Sequence, residues 1–244
     1  MNEGKRSNEP GQPIGPALID WQPPLRPAQQ SLVGRFCRVE PLDAVRHARD
    51  LYEANQQDSA QRMWTYLFSG PFASFEEYER WLAERATGMD PLFRAFVELS
   101  SGRAVGIGAF MRIDPAAGSI EVGHLAFSPL MQRTAAATEA MCLMMRHAFE
   151  LGYRRYEWKC DSLNAGSRRA AERLGFTFEG VFRQATVYKG RSRDTAWYSI
   201  IDQEWPVART AFERWLDRDN FDATGLQRAS LMDIRKSLRQ HQPR

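Results

Sequence analysis

Cysteine is scarce in this 244-residue chain: Cys37, Cys142 and Cys160 are odd in number and include no CxxC pair. That excludes a disulfide-stapled framework and points to reduced thiols, used for packing, in a cytoplasmic protein. Histidine is equally thin. His47, His124, His147 and His241 do not fall at metal-ligand spacing, so no metal is expected. No stretch approaches the roughly 18 apolar residues of a membrane span. The opening MNEGKRSNEPGQPIGP has no apolar core, so neither a secretory signal nor a membrane partner is expected. A dominant charge sign is also missing, since 33 basic and 30 acidic residues interleave to a net charge of +3. Only IRKSLRQHQPR is locally basic, and a solvated, frayed terminus is expected there rather than a nucleic-acid surface. The small basic excess suits a pocket for an anionic ligand.

What is present is the ordinary balance of a globular domain, with 43% hydrophobic and 26% charged residues. Residues 1–30 carry many prolines and little periodicity, which reads as a partly disordered arm with Trp21 as an anchor. Residues 31–205 read as the main domain, and 206–244 as a C-terminal helix and basic tail. A short strand near Phe36–Val39 leads to a helix from Leu42 to about Asn55. A second helix starts at SFEE, where Ser74 caps and Glu77 completes the box. Strands are expected at 93–99, 104–113 and 119–127. A helix then runs from Ala135 to Leu151 and stops at Gly152, with Ala140, Leu143, Met144, His147 and Leu151 on one sheet-facing stripe. A strand at 156–160, a helix at 165–174 stopped by Gly175, and a hairpin of 176–188 with 193–202 follow. Pro206 opens the last expected helix. The order gives a mixed α/β (α+β) sheet. It lacks regular βα alternation, and there is no GxGxxG or P-loop lysine motif.

The run QRTAAATEA opens the longest apolar-periodic segment with nothing large enough to cover its backbone. Consecutive amides at a helix N-terminus make an anion site, whereas the plain alternative is an alanine-rich helix start. With the strand before it, the helix and strand after it, DSLNAGSRRAAERLGFTFEG and the closing hairpin, this order resembles the GNAT N-acetyltransferases. The nearest branch is the ribosomal-protein serine/alanine N-terminal acetyltransferases. The similarity covers about residues 35–205 and is strongest over 119–198. It implies the GNAT fold: a mostly antiparallel sheet of about six or seven strands, flanked by helices and splayed in the middle to admit CoA.

The resemblance implies acetyl-CoA as cosubstrate, an amine as acceptor and direct attack of that amine on the thioester. The family's acyl-CoA loop, Gln/Arg-x-x-Gly-x-Gly/Ala, falls here on Gln132, Arg133, Thr134, Ala135, Ala136, Ala137 and Thr138, with alanine in place of the first glycine. Alanine suits a position with helical φ and ψ, not one with φ above zero. Asn164 matches the residue that binds the pantetheine arm, and Ser167 the one near the thioester sulfur, where it would protonate the leaving thiolate. Ordinary capping of a helix by Asn164 is the other reading. The strand 124–127 (His124, Leu125, Ala126, Phe127) would pair with pantetheine through its backbone. One departure is Thr186, where the branch carries a glutamate.

Glu121 and His124 are the two candidates for the base. They face opposite sides of a regular strand, and a bulge near Gly123 would bring both to the cleft. Cross-strand pairing of Glu121 with an arginine and half-burial of His124 are the structural alternatives. Trp64, Tyr66 and Phe72 would line the acceptor side, or simply pack. The acceptor is read as a peptide N-terminal α-amine or a small amine. A small-molecule acetyltransferase and a non-catalytic CoA-binding protein are the rival functions, and a homodimer stays open.

Overall fold

A single eight-stranded sheet organises residues 7–240, the part of the chain that the computed structural model describes. Its strands are β1 (Leu32–Val33), β2 (Cys37–Pro41), β3 (Leu92–Glu98), β4 (Ala104–Asp114), β5 (Ser119–Phe127), β6 (Arg155–Asp161), β7 (Thr177–Tyr188) and β8 (Arg191–Ile201). They lie in the order β1-β2-β3-β4-β5-β6-β8-β7. Every neighbouring pair is antiparallel except β5 with β6. The two-residue β1 raises the count above the six or seven strands expected. The hairpin turn is shorter than the four residues expected, Lys189-Gly190 alone, where both φ angles are positive (47° and 70°). Such angles match a two-residue hairpin turn.

Among the described residues six α-helices accompany the sheet: α1 (Ala44–Asn55), α2 (Phe75–Ala86), α3 (Ala135–Glu150), α4 (Ala165–Leu174), α5 (Trp205–Leu216) and α6 (Leu231–Gln240). Their ends carry local signals. The Asp43 carboxylate caps α1, and Ser74 Oγ accepts the Glu77 amide of α2 at 3.2 Å. Glu77 reaches the amide of Ala73 rather than that of the cap residue. Asn164 caps α4, and Gly175 ends it at φ 110°.

Side-chain alternation sorts the core onto two faces. Phe93, Ala95 and Val97 of β3 join Leu51, Tyr78 and Leu82 of α1 and α2. Ile120, Val122, Tyr156 and Trp158 join Met141, Met144, Phe212 and Leu231 on the opposite face. The single stripe expected on α3 is too narrow: Ala136, Glu139, Met141, Cys142, Met145 and Ala148 are buried as well. The reason is a second partner. The Glu139 carboxylate accepts the amides of Arg35, Phe36 and Cys37 at 2.6–2.9 Å, so the turn before β2 closes over the helix.

The basic C-terminal segment is not frayed over residues 231–240. Leu231 is buried, Ile234 and Leu238 pack against the core, and Arg235 donates to the carbonyls of Arg173 and Glu172 at the end of α4. The proline-rich arm is pinned from Trp21 onward. Arg154 lies over the Trp21 ring, and the buried Arg94 guanidinium donates to the carbonyls of Ala28 and Gln30. His241 and residues 1–6 lie outside the described residues.

Candidate active site

Pairing between β5 and β6 stops at Val122 opposite Trp158. Beyond that point β5 follows only β4, and β6 follows only β8. Between the pairs Ala109–Gly123 and Ile107–Ala126, β5 holds one residue more than β4, and His124 sits in this bulge at φ 51°. A bulge bends its strand and re-aims side chains. The bulge expected near Gly123 is therefore real, one residue on. Into the gap opens a cleft of about 370 Å³, bordered by both candidate bases, by Asn164 and Ser167, and by residues of the β7–β8 hairpin.

Glu121 is only 3% exposed and is not a solitary carboxylate. Its Oε2 accepts from Arg112 at 2.7 Å and from Lys159 at 2.8 Å. Lys159 also meets Glu157 at 2.7 Å and stacks its ammonium 3.7 Å from the Trp197 ring centroid. Arg155 continues the ladder, bonding Glu157 and Glu179. The cross-strand pairing with an arginine is thus present, and it is reinforced by a lysine that the sequence reading missed. Buried charges persist when paired and hydrogen-bonded in this way.

His124 stands differently. Its ring packs 5.1 Å from that of Phe93 and takes no hydrogen bond among the described residues. Burial, with the Arg85 and Arg112 charges adding to it, holds its pKa below the usual 6.5. The imidazole is therefore neutral at pH 7 and able to accept a proton.

On the far face of the sheet lies the first turn of α3. Ala135 and Ala137 have helical backbones, and the left-handed conformation falls on Arg133 instead, at φ 63°. Alanine in place of the family glycine therefore costs no strain. Not all the amides are available. Thr134 Oγ1 accepts from Ala137, the Thr134 amide bonds Met131, and the Gln132 amide bonds Ser128. The amides of Ala135 and Ala136, first in the helix, have no partner within it, so the residues fit an anion there. Gln132 turns away, its side chain donating to Phe127 O at 2.8 Å, and Thr138 accepts from Arg173. Along β5, the backbone edge of Leu125, Ala126 and Phe127 that faces away from β4 has lost its β6 neighbour. Asn164 Oδ1 accepts the Ser167 amide at 3.0 Å, while Ser167 Oγ accepts the Trp158 indole at 2.9 Å. That leaves the serine O–H to donate, with the Cys160 sulfur within its reach.

The aromatic loop divides. Tyr66 borders the cleft together with Met63, Leu67 and Phe68, and its hydroxyl reaches Leu163 O at 3.2 Å. Trp64 and Phe72 do not border it. They pack edge-to-face at 5.3 Å inside the α1–α2 core, because the chain must cover the open side of Tyr78 and Trp81. Lys189, at the hairpin tip, donates to Trp64 O at 2.7 Å, so this loop and the hairpin meet over the end of the cleft.

A model of the GNAT acetyltransferase domain matches residues 38–177. A GCN5-related N-acetyltransferase of known structure from Brucella melitensis is 47% identical. The match covers 90% of this chain and all of that one, with a TM-score of 0.88. A GNAT-family protein from Chromobacterium violaceum ATCC 12472 is 40% identical over 80% of this chain and 98% of its own, with a TM-score of 0.74. A more distant fold neighbour, an acetyl transferase from Salmonella typhimurium, is 20% identical over 70% of this chain and 99% of its own, with a TM-score of 0.59. None of the curated proteins matches the chain. A sheet that parts beside a bulged strand, with free amides of a helix N-terminus on its far face, is thus set in a chain that these matches show to belong to the GNAT family of acetyl-CoA-dependent N-acetyltransferases.

Proposed function

We propose that this chain acetylates the α-amine of a protein or peptide N-terminus, and that the amine attacks the acetyl thioester directly within a ternary complex. The observation that carries the reading is the gap between β5 and β6, into which the cleft on the α1–α2 face opens. Cofactor and acceptor can then approach from opposite sides. In this reading acetyl-CoA supplies the activated acyl group. The amides of Ala135 and Ala136 with Arg133 hold its pyrophosphate, and the free edge of 124–127 and Asn164 hold its pantetheine arm. His124 takes the amine proton, and Ser167 Oγ–H returns one to the departing thiolate.

Proton cost favours an α-amine over a lysine. At pH 7 deprotonation costs about 1 kcal/mol for the former and about 4–5 kcal/mol for the latter. The Salmonella neighbour modifies the N-terminal serine of a 50S ribosomal subunit protein, which is chemistry of this kind. A small primary amine is the second reading, favoured by the bridge of Tyr66 to Leu163 and Lys189 to Trp64, which narrows one end of the cleft.

Two measurements test this. Calorimetric titration should show micromolar acetyl-CoA binding that an Arg133→Glu, Ala135→Glu double variant abolishes. A panel of peptide N-termini, small amines and ε-amine peptides should then give turnover on the first class. Turnover confined to small amines would replace the peptide reading, and unchanged binding by the double variant would remove α3 from the cofactor site.

A further inference from the structure

The cleft contains one buried cation that forms no ion pair among the described residues. Arg112 and Lys159 are held by Glu121 and Glu157. Arg193 of β8 is only 8% exposed and forms no ion pair among the described residues, and its buried Nε has no hydrogen-bond partner. Two aromatic rings border the guanidinium: its carbon is 5.4 Å from the centroid of Phe68 and 5.9 Å from that of Tyr188. The nearby carboxylate of Asp161 is already engaged, accepting the Tyr188 hydroxyl at 2.8 Å and the Leu163 amide at 2.8 Å. Burying a charge without a partner is costly, and a guanidinium with free donors between aromatic faces is suited to a carboxylate held by two parallel hydrogen bonds.

Its position tells which ligand it serves. Arg193, Thr195 and Trp197 alternate along β8, with Trp197 opposite Lys159, so Arg193 faces the α1–α2 side. The amides of α3 lie on the other face, where Ala196 and Tyr198 join the core. Arg193 therefore meets the acceptor and not the cofactor's phosphates. Along β8 it is three residues from Ala196, the partner of Cys160 beside the gap, or about 10 Å. An extended segment of about three residues has that reach.

We propose that Arg193 is the acceptor's carboxylate anchor, selecting amines that carry an acidic group two or three residues from the attacking nitrogen. The peptide form of this proposal rests on the α-amine reading above. The test compares kcat/KM for matched pairs: peptides with Asp against Asn at the second or third residue, and small amines bearing a carboxylate against their methyl esters. Wild type should prefer the acid of each pair by about tenfold to a hundredfold, the value of a charge-assisted hydrogen bond. Arg193→Gln should bring the ratio close to one. Arg193→Lys, which keeps the charge but not the fork, should keep part of it. Acetyl-CoA titration of each variant checks that it is folded. Peptides that turn over without preference for the acid, or a preference that survives Arg193→Gln, would overturn the anchor and leave the peptide reading standing. Preference among small amines alone, lost in Arg193→Gln, would keep the anchor and overturn the peptide reading. Absence of turnover on both panels would overturn both.

Discussion

Glu121 and His124 show how environment separates two residues that the sequence presents as equals. Both border the cleft, but Glu121 Oε2 holds the Arg112 and Lys159 charges in place, whereas His124 offers an uncommitted, neutral ring. As base, His124 must be unprotonated. Activity should therefore fall as pH drops through its pKa, which lies below 6.5. His124→Gln should lower kcat by about 10²–10⁴-fold, the usual contribution of a positioned base, and should remove this acid limb from the kcat/KM profile. Glu121→Gln should act mainly on stability, because the buried Lys159 and the exposed Arg112 lose a shared anion, and should leave the acid limb in place. The assignment fails if Glu121→Gln abolishes the limb and His124→Gln keeps it. How far these roles were legible follows from locality. The bulge that frees His124 depends on a register shift against β4, and the sequence of β5 allows it without requiring it. Arg193 had a readable trace in RSRDTAWYS, where Arg193, Thr195 and Trp197 alternate with apolar Ala196 and Tyr198. Its missing partner could be seen only once the cleft was assembled.

Among the elements, α3 carries the most consequence, and Glu139 ties it to the start of the sheet. One carboxylate satisfies three backbone amides, and a Cβ at Gly34 would collide with it. Glu139→Ala would leave the fully buried Cys37 amide without an acceptor, along with two less buried ones. A loss of about 2–3 kcal/mol follows, which is roughly 4–12 °C in melting temperature for a chain of this length. Differential scanning calorimetry checks it, and Glu139→Gln should recover part of the loss through its remaining oxygen. An unchanged melting temperature in Glu139→Ala would show the contact to be dispensable. Elements with local signals could be read directly: Ser74 and Asn164 as caps, Gly175 as a stop, Pro206 as a helix opener. Helix α6 could not. Its Leu231, Ile234 and Leu238 lie at helical spacing among many charges, and its anchor, Arg235, reaches carbonyls more than sixty residues away. In the irregular segment around Trp64, Tyr66 and Phe72 no period applies, so which ring would face the cleft was decided by the α1–α2 core.

At the scale of the whole molecule, three separated histidines set the response to acid. Burial lowers the pKa of each below 6.5. For His47 it outweighs the opposing attraction of Glu40, and for His124 and His147 it is reinforced by neighbouring arginines. A histidine whose folded pKa is depressed contributes its full stability above its unfolded value and loses it as pH falls from 6.5 through the folded value. The buried carboxylates act lower down. Burial alone would raise Glu40 and Glu157, but Arg38 and Arg46 around the first, and Lys159 and Arg155 around the second, hold them below 4.5. Their contribution is lost as pH falls below 4.5. The melting temperature should therefore be flat between about pH 7 and 8, decline from pH 6.5 downward, and decline again below pH 4.5. His147 isolates the first step, since it lies on α3 against Phe110 of β4 and does not border the cleft, with its Nε2 buried and unpartnered. His147→Gln should make the decline between pH 6.5 and 5 shallower while leaving the acid limb of catalysis unchanged, because His124 governs that limb alone. A melting curve equally steep in the variant would mean that His147 takes no part in the first decline, leaving it to His47 and His124.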